Sequence, residues 1–161
     1  MQTVSYNLIR DKMQTGDILF FESDGSILNW IVSKWTKSEY IHVGMVFKIA
    51  RRVFILEALP FKGVRMIPLS TRLPFVFCPM KLDWNPLASD VAFKNVGKKY
   101  SFFDLIRVAF NKRPNNSGFI CTEYLREIYK QLDVDISEWD LTPKSLFERL
   151  SIKAFGIYKV I

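Results

Sequence analysis

Apolar and polar positions divide the chain into a strand-rich first half and a helix-rich second half, with the change near Asp83. "GDILFFES" opens on a turn glycine and continues through Ile18, Leu19, Phe20 and Phe21, which predicts a strand. "SDGSILNWIVSKWTK" has Ile27, Trp30, Ile31, Lys34 and Trp35 at helical spacing, with Ser23 or Asp24 as cap. "HVGMVFKI" and "RRVFILEAL" are strands of β-branched and aromatic residues. Little more than Ala50 and Arg51 separates them, so a hairpin is expected. "GVRMIPL" and "FVFCPMKL" read as two further strands, and the prolines at 68, 74 and 79 place their neighbours at strand ends or edges.

Past Asp83, "NPLASDVAFKNVGKKY" predicts a helix with Asn85 as N-cap, Pro86 in the first turn and Gly97 at the end. "SFFDLIRVAF" predicts a shorter helix, and "NKRPNNSG" a polar loop leading to Cys121, after which a helix runs to about Leu132. "LTPKSLFERL" is a helix capped by Thr142, and "KAFGIYKVI" a last strand. The expected class is α+β, with mainly antiparallel strands first and helices after them. No linker or repeat divides the chain, so residues 1–161 are expected to form one domain.

Composition narrows the picture. Hydrophobic residues make up 49% of the chain, enough for a filled core and too many for disorder. No run reaches the roughly 18 consecutive apolar residues of a membrane span, and "MQTVSYNLIRDKMQTGD" lacks the pattern of a secretory signal. The expected location is cytoplasmic, in the producing cell or in a host cell for a viral gene. Two cysteines make no disulfide framework, and a reducing compartment argues against pairing Cys78 with Cys121. The formal net charge of +7 favours anionic partners. The basic groups "KWTK", "IARRVF", "GKKY" and "NKRP" are short and scattered, however. They predict a solvated surface, with an acidic lipid surface left open and no specific nucleic acid. The oligomeric state is not legible.

The chemistry centres on "FICTEYLREIYKQL". Cys121 stands where a strand-like run meets a helix former. It is either a small space-filling residue or a thiol whose reactive thiolate is favoured by helix N–H groups. The single histidine, His42, begins a strand, and Glu57 lies inside the apolar run "VFILEAL" of the next. With the hairpin turn at Ala50 and Arg51, residue 42 faces residue 59, and residue 57 is its diagonal neighbour on the same side. The carboxylate would then orient one ring nitrogen and leave the other as a base. A one-residue slip would turn Glu57 away, and a salt bridge to a nearby Arg or Lys is the alternative use of the carboxylate. Cys78, between Phe77 and Pro79, reads as inert packing, and Asp17 as a turn-fixing residue. No metal cluster and no phosphate-binding glycine loop occurs, and no cofactor is expected.

The order "GDILFF", "HVGMVF", "ILEA", "GKKYSFFDL" and "CTEYL" resembles the circularly permuted branch of the NlpC/P60 superfamily, the papain-like cysteine hydrolases of YaeF/YiiX type with a poxvirus branch. The likeness runs from about Gly16 to Leu146. It implies a permuted papain-like fold, an antiparallel sheet or half-barrel packed on helices. It further implies Cys121 as nucleophile, His42 as base and Glu57 as orienting residue. Tyr100, in "GKKY", is similar to a tyrosine that lines the site or joins the oxyanion region. Glu123 matches a glutamate whose expected role is at the helix start. The implied activity is hydrolysis of a peptide, isopeptide or lipid-linked amide through a thioester. The alternatives are an acyltransferase or lipid hydrolase similar to lecithin:retinol acyltransferase, and a non-catalytic module binding membrane or nucleic acid.

Overall fold

The computed structural model describes residues 1–23, 39–101, 119–132, 134, 142–153 and 156–161. The helices expected over "SDGSILNWIVSKWTK" and "SFFDLIRVAF" and the loop "NKRPNNSG" lie outside the described residues, Ser23 and Ser101 excepted. In chain order the elements are β1 (Gln2–Val4), α1 (Tyr6–Ile9), β2 (Ile18–Glu22), β3 (Tyr40–Ile49), β4 (Arg52–Leu59) and β5 (Gly63–Pro68). A 3-10 turn (Leu69–Arg72), β6 (Phe75–Cys78), α2 (Pro86–Lys94), α3 (Cys121–Tyr129), α4 (Pro143–Lys153) and β7 (Tyr158–Val160) follow.

Among the described residues the strands form one open sheet in the order β1-β7-β6-β2-β3-β4-β5. Its pairs are antiparallel except β1 with β7, which is parallel. The fold is the expected α+β arrangement, with the sheet left open rather than closed into a barrel. Neither β1 nor α1 was foreseen, because Gln2–Val4 carries too few apolar residues to signal a strand. Tertiary pairing makes that strand: Ile161 donates its N–H to Val4 O at 3.1 Å, and Tyr6 N–H reaches Ile161 O at 2.9 Å.

Strand alternation sorts the core onto two faces. Ile18, Phe20, Val43, Met45 and Leu56 pack with α2, α3 and α4, chiefly against Ala88, Ala92, Tyr124, Ile128 and Leu146. Leu19, Phe21, Val46 and Ile55 face the other way, with Ile9, Met13 and Phe75. Tyr124 and Tyr129 are fully buried, yet each hydroxyl has an acceptor, Ala92 O at 2.9 Å and Gly16 O respectively.

Local signals explain the boundaries. The β3–β4 hairpin turns at Ala50, which takes a left-handed φ of 52°. Asn85 caps α2 by accepting from Ala88 N at 2.9 Å, with Pro86 at the first position. Thr142 receives the Ser145 N–H at 3.3 Å at the start of α4. Helix α2 ends at Lys94 rather than near Gly97, whose N–H goes instead to Val64 O at 2.8 Å. Strand β6 stops at Cys78, before Pro79. Asp17 holds the turn before β2: its carboxylate accepts from Gln14 N at 2.7 Å and from Met80 N at 2.9 Å.

Candidate active site

The hairpin register fixes the first contact. Gly44 stands opposite Glu57, and the pairing runs without a slip to Ile49 opposite Arg52. Two residues earlier on the same strand, His42 lies diagonal to Glu57. Its Nε2 sits 2.9 Å from Glu57 Oε2, with both side chains buried. Gly44 has a steric part in this. A Cβ there would come within 2.6 Å of Ile55 Cδ1, so a side chain would push the two strands' contacts apart. The His42 ring also packs on Phe21, its cross-strand neighbour, at 5.4 Å between centroids.

Glu57 holds more than the imidazole. Arg65, its cross-strand partner on β5, donates Nε and Nη2 to Oε1 at 3.0 and 2.7 Å. Arg72, from the 3-10 turn, places Nη2 3.2 Å from Oε2. Glu57 therefore makes the salt bridges and the imidazole contact at once. Sequence reasoning missed both arginines. The signal for Arg65 was its place in "GVRMIPL", an arginine in a strand run beside the one carrying the buried acid; nothing in the sequence marks Arg72.

Cys121 is the first residue of α3, after an extended Ile120 with φ −91° and ψ 164°. There it lies in the first turn, at the positive end of the helix dipole. Glu123 closes the turn by accepting from Ile120 N at 3.1 Å. The thiol is 4% exposed and belongs to the helix-side core. The His42 ring is electrostatically coupled to this thiol. Nε2 is held by Glu57, and Nδ1 is the ring's other nitrogen.

Tyr100 reaches the same place by backbone pairing. It forms a parallel bridge with Phe119, two residues before Cys121; Ser101 N–H reaches Phe119 O at 3.1 Å and Phe119 N–H reaches Lys99 O at 3.3 Å. The preceding Lys98 is anchored to β5, because Val64 donates to Lys98 O at 2.9 Å. That approach needs Gly63, at φ 69°, where a Cβ would lie 2.4 Å from Lys98 O. The pairing spans the 21-residue separation between Tyr100 and Cys121. Cys78, by contrast, is buried in β6 amid core residues, and both cysteines are free thiols.

Residues 12–156 match the family described as permuted papain-like amidase enzyme, YaeF/YiiX, C92 family. The chain belongs to this family. Members of this family are described as amidase enzymes. Among solved structures, that of YiiX from Escherichia coli O157:H7, titled a metalloprotein, is similar with a TM-score of 0.55 and 21% identity. The alignment covers 73% of this chain and 65% of that one, and at such identity the likeness concerns the fold. No curated protein gives a significant match.

Between His42 and Glu57 the electrostatics favour an ion pair. Burial by itself would depress the His42 pKa, but interactions with Cys121 and Glu57 outweigh it and hold the ring at about 9. Burial would raise Glu57; the His42 hydrogen bond and charge, the Arg72 charge and the Arg65 hydrogen bond bring it down to about 2. Tyr100 is pushed well above its ordinary value by burial and by Cys121 and Glu123, so it stays neutral. Burial and the Asp17 charge lift Cys78 to about 12, which keeps it a thiol. A cavity of about 540 Å³ opens beside His42, walled by Phe21, Leu59 and Phe75 and edged by Arg72 and Lys159. Among the described residues no helix is long and apolar enough to cross a membrane.

Proposed function

We propose that this protein is an amidase that cleaves its substrate through a thioester on Cys121, with His42 as acid and base and Glu57 as orienting carboxylate. The observation that supports this most is the 2.9 Å contact between His42 Nε2 and Glu57 Oε2, made by a ring that is electrostatically coupled to Cys121. The Cys121 thiolate attacks the carbonyl carbon. The oxyanion develops near the N–H groups that open α3, and Tyr100 stands beside it as a neutral hydroxyl. His42 Nδ1–H protonates the departing amine as the C–N bond breaks, leaving thioester and free amine. Water, deprotonated by His42, then attacks the thioester, releasing the carboxylic acid and restoring the thiol. The substrate is a peptide, isopeptide or lipid-linked amide.

YiiX is titled a metalloprotein. The described residues of this chain do not fit a metal centre. They contain no group of three or more His, Cys, Asp or Glu side chains able to hold an ion. The one histidine is committed to Glu57, whose other oxygen is held by Arg65.

The test is alkylation with iodoacetamide in a Cys78→Ser background, together with amine release from a panel of acylated amines and peptides. Cys121 should react at least about tenfold faster than a model thiol at pH 6–7, where a free thiol of pKa near 8.5 is mostly protonated. His42→Ala should remove that excess. Product analysis with acyl-lipids and peptides then separates hydrolysis from acyl transfer. Ordinary thiol reactivity combined with no amine release would end the proposal.

A further inference from the structure

Glu57 is fully buried and faces three cationic side chains from three elements: His42 from β3, Arg65 from β5 and Arg72 from the 3-10 turn. The two arginines are not equivalent. Arg65 binds Oε1, the oxygen turned away from the imidazole, through two donors of its planar fork. Arg72 approaches Oε2, the atom that also receives His42 Nε2. It stacks over the Phe21 ring at 4.7 Å, and His42 packs on that ring as well. Arg72 thus shares one oxygen and one aromatic surface with the imidazole.

We propose that Arg65 and Arg72 are positioning residues with separate tasks, Arg65 fixing the carboxylate in place and Arg72 limiting how strongly it holds the His42 proton. The inference rests on the reading of Cys121, His42 and Glu57 given above. A buried glutamate facing imidazole alone would hold the imidazolium too tightly to release a proton to the leaving amine. A cation on the same oxygen withdraws part of that attraction and repels the imidazolium directly. A fork on the other oxygen stops the carboxylate from rotating toward Arg72. Among the described residues, the remaining charged and titratable groups around the pair are Cys121 on α3, Tyr100 and Glu123 coupled to one another near that thiol, and Glu22, Lys62 and Lys159 around the adjoining cavity. Glu22 is itself paired with Lys159 at 2.7 Å.

The chain's single histidine makes the test direct, since the imidazole gives one set of NMR resonances that is followed through a pH titration. Removing the Arg72 charge with Arg72→Gln should move the imidazole midpoint upward by about one pH unit. Arg72→Lys, which keeps the charge, should leave it within a few tenths. Arg65→Gln should move the midpoint less than Arg72→Gln while slowing Cys121 alkylation about tenfold across the pH range, and Arg65→Lys, with one donor point instead of a fork, should not restore the rate. An unmoved or lowered midpoint in Arg72→Gln overturns the inference. Should that variant fail to fold by circular dichroism, a midpoint in Arg72→Lys raised by a full unit overturns it instead. The titration needs no turnover. Ordinary reactivity of wild-type Cys121 therefore counts against the triad, whereas an unmoved imidazole counts against the arginines.

Discussion

His42 and Glu57 meet across a diagonal: Glu57 is the cross-strand partner of Gly44, two residues along from the imidazole it binds at 2.9 Å. Direct partners would stand side by side with their heads level, whereas the diagonal lets a long carboxylate reach along the strand to the ring edge. It also leaves room on the far side of Glu57 for Arg65. The dyad depends on a tight turn at Ala50 and Arg51, since one residue more or less would move the carboxylate to the other face.

Neutralising that carboxylate should therefore affect both reactivity and folding. In Glu57→Gln the imidazolium loses its counter-charge and the two arginines face each other without one. The His42 midpoint should fall below its wild-type value, and Cys121 alkylation at pH 6–7 should slow by about 10- to 100-fold. Stability should drop by about 3–5 kcal/mol, the usual cost of breaking a buried pair from one side. Urea titration and an alkylation time course check the two effects separately.

The same pair sets the pH range of the fold. His42 binds its proton more tightly when folded, at about 9 against 6.5. Its contribution is whole below pH 6.5 and lost as pH rises through about 9. Glu57 is displaced downward, to about 2 against 4.5, so its contribution is whole above pH 4.5 and lost as pH falls toward 2. Melting temperature should therefore be highest between about pH 4.5 and 6.5 and decline on both sides. Glu57→Gln should flatten the acid side.

Gly63 offers a test away from the reacting atoms. Gly63→Ala meets the Lys98 carbonyl at 2.4 Å and holds an alanine at φ 69°. The strain should cost about 1–3 kcal/mol, relieved only by withdrawing residues 98–100 from β5. Because that segment carries Tyr100 toward Cys121, amine release should fall together with stability. Tyr100→Phe, which keeps the ring and the backbone pairing, should lower turnover with little change in melting temperature. A Gly63→Ala protein of wild-type stability and activity would show that the close approach is not required.

Much of this arrangement was legible in the sequence because it depends on short-range rules. The two-residue turn set the β3–β4 register, and Asn85 with Pro86 and Thr142 with Pro143 announced two helices. What escaped depends on partners distant along the chain. Gln2–Val4 is a strand only because Tyr158–Val160 lies beside it. The ends of β6 and α2 answer to Met80 binding Asp17 and to Gly97 binding Val64. Arg72 reaches Glu57 through a 3-10 turn between two prolines, and no periodicity foretells that. Tyr100 comes near Cys121, 21 residues on, through the bridge to Phe119, a pairing that no local pattern announces.

The parallel pairing of β1 with β7 has a mechanical consequence. A force applied through the residues flanking these two strands drags them past one another lengthwise, so their hydrogen bonds bear the load together rather than unzipping in turn. Single-molecule extension by those flanks would meet its first resistance there, before tension reached the hairpin that holds His42 and Glu57.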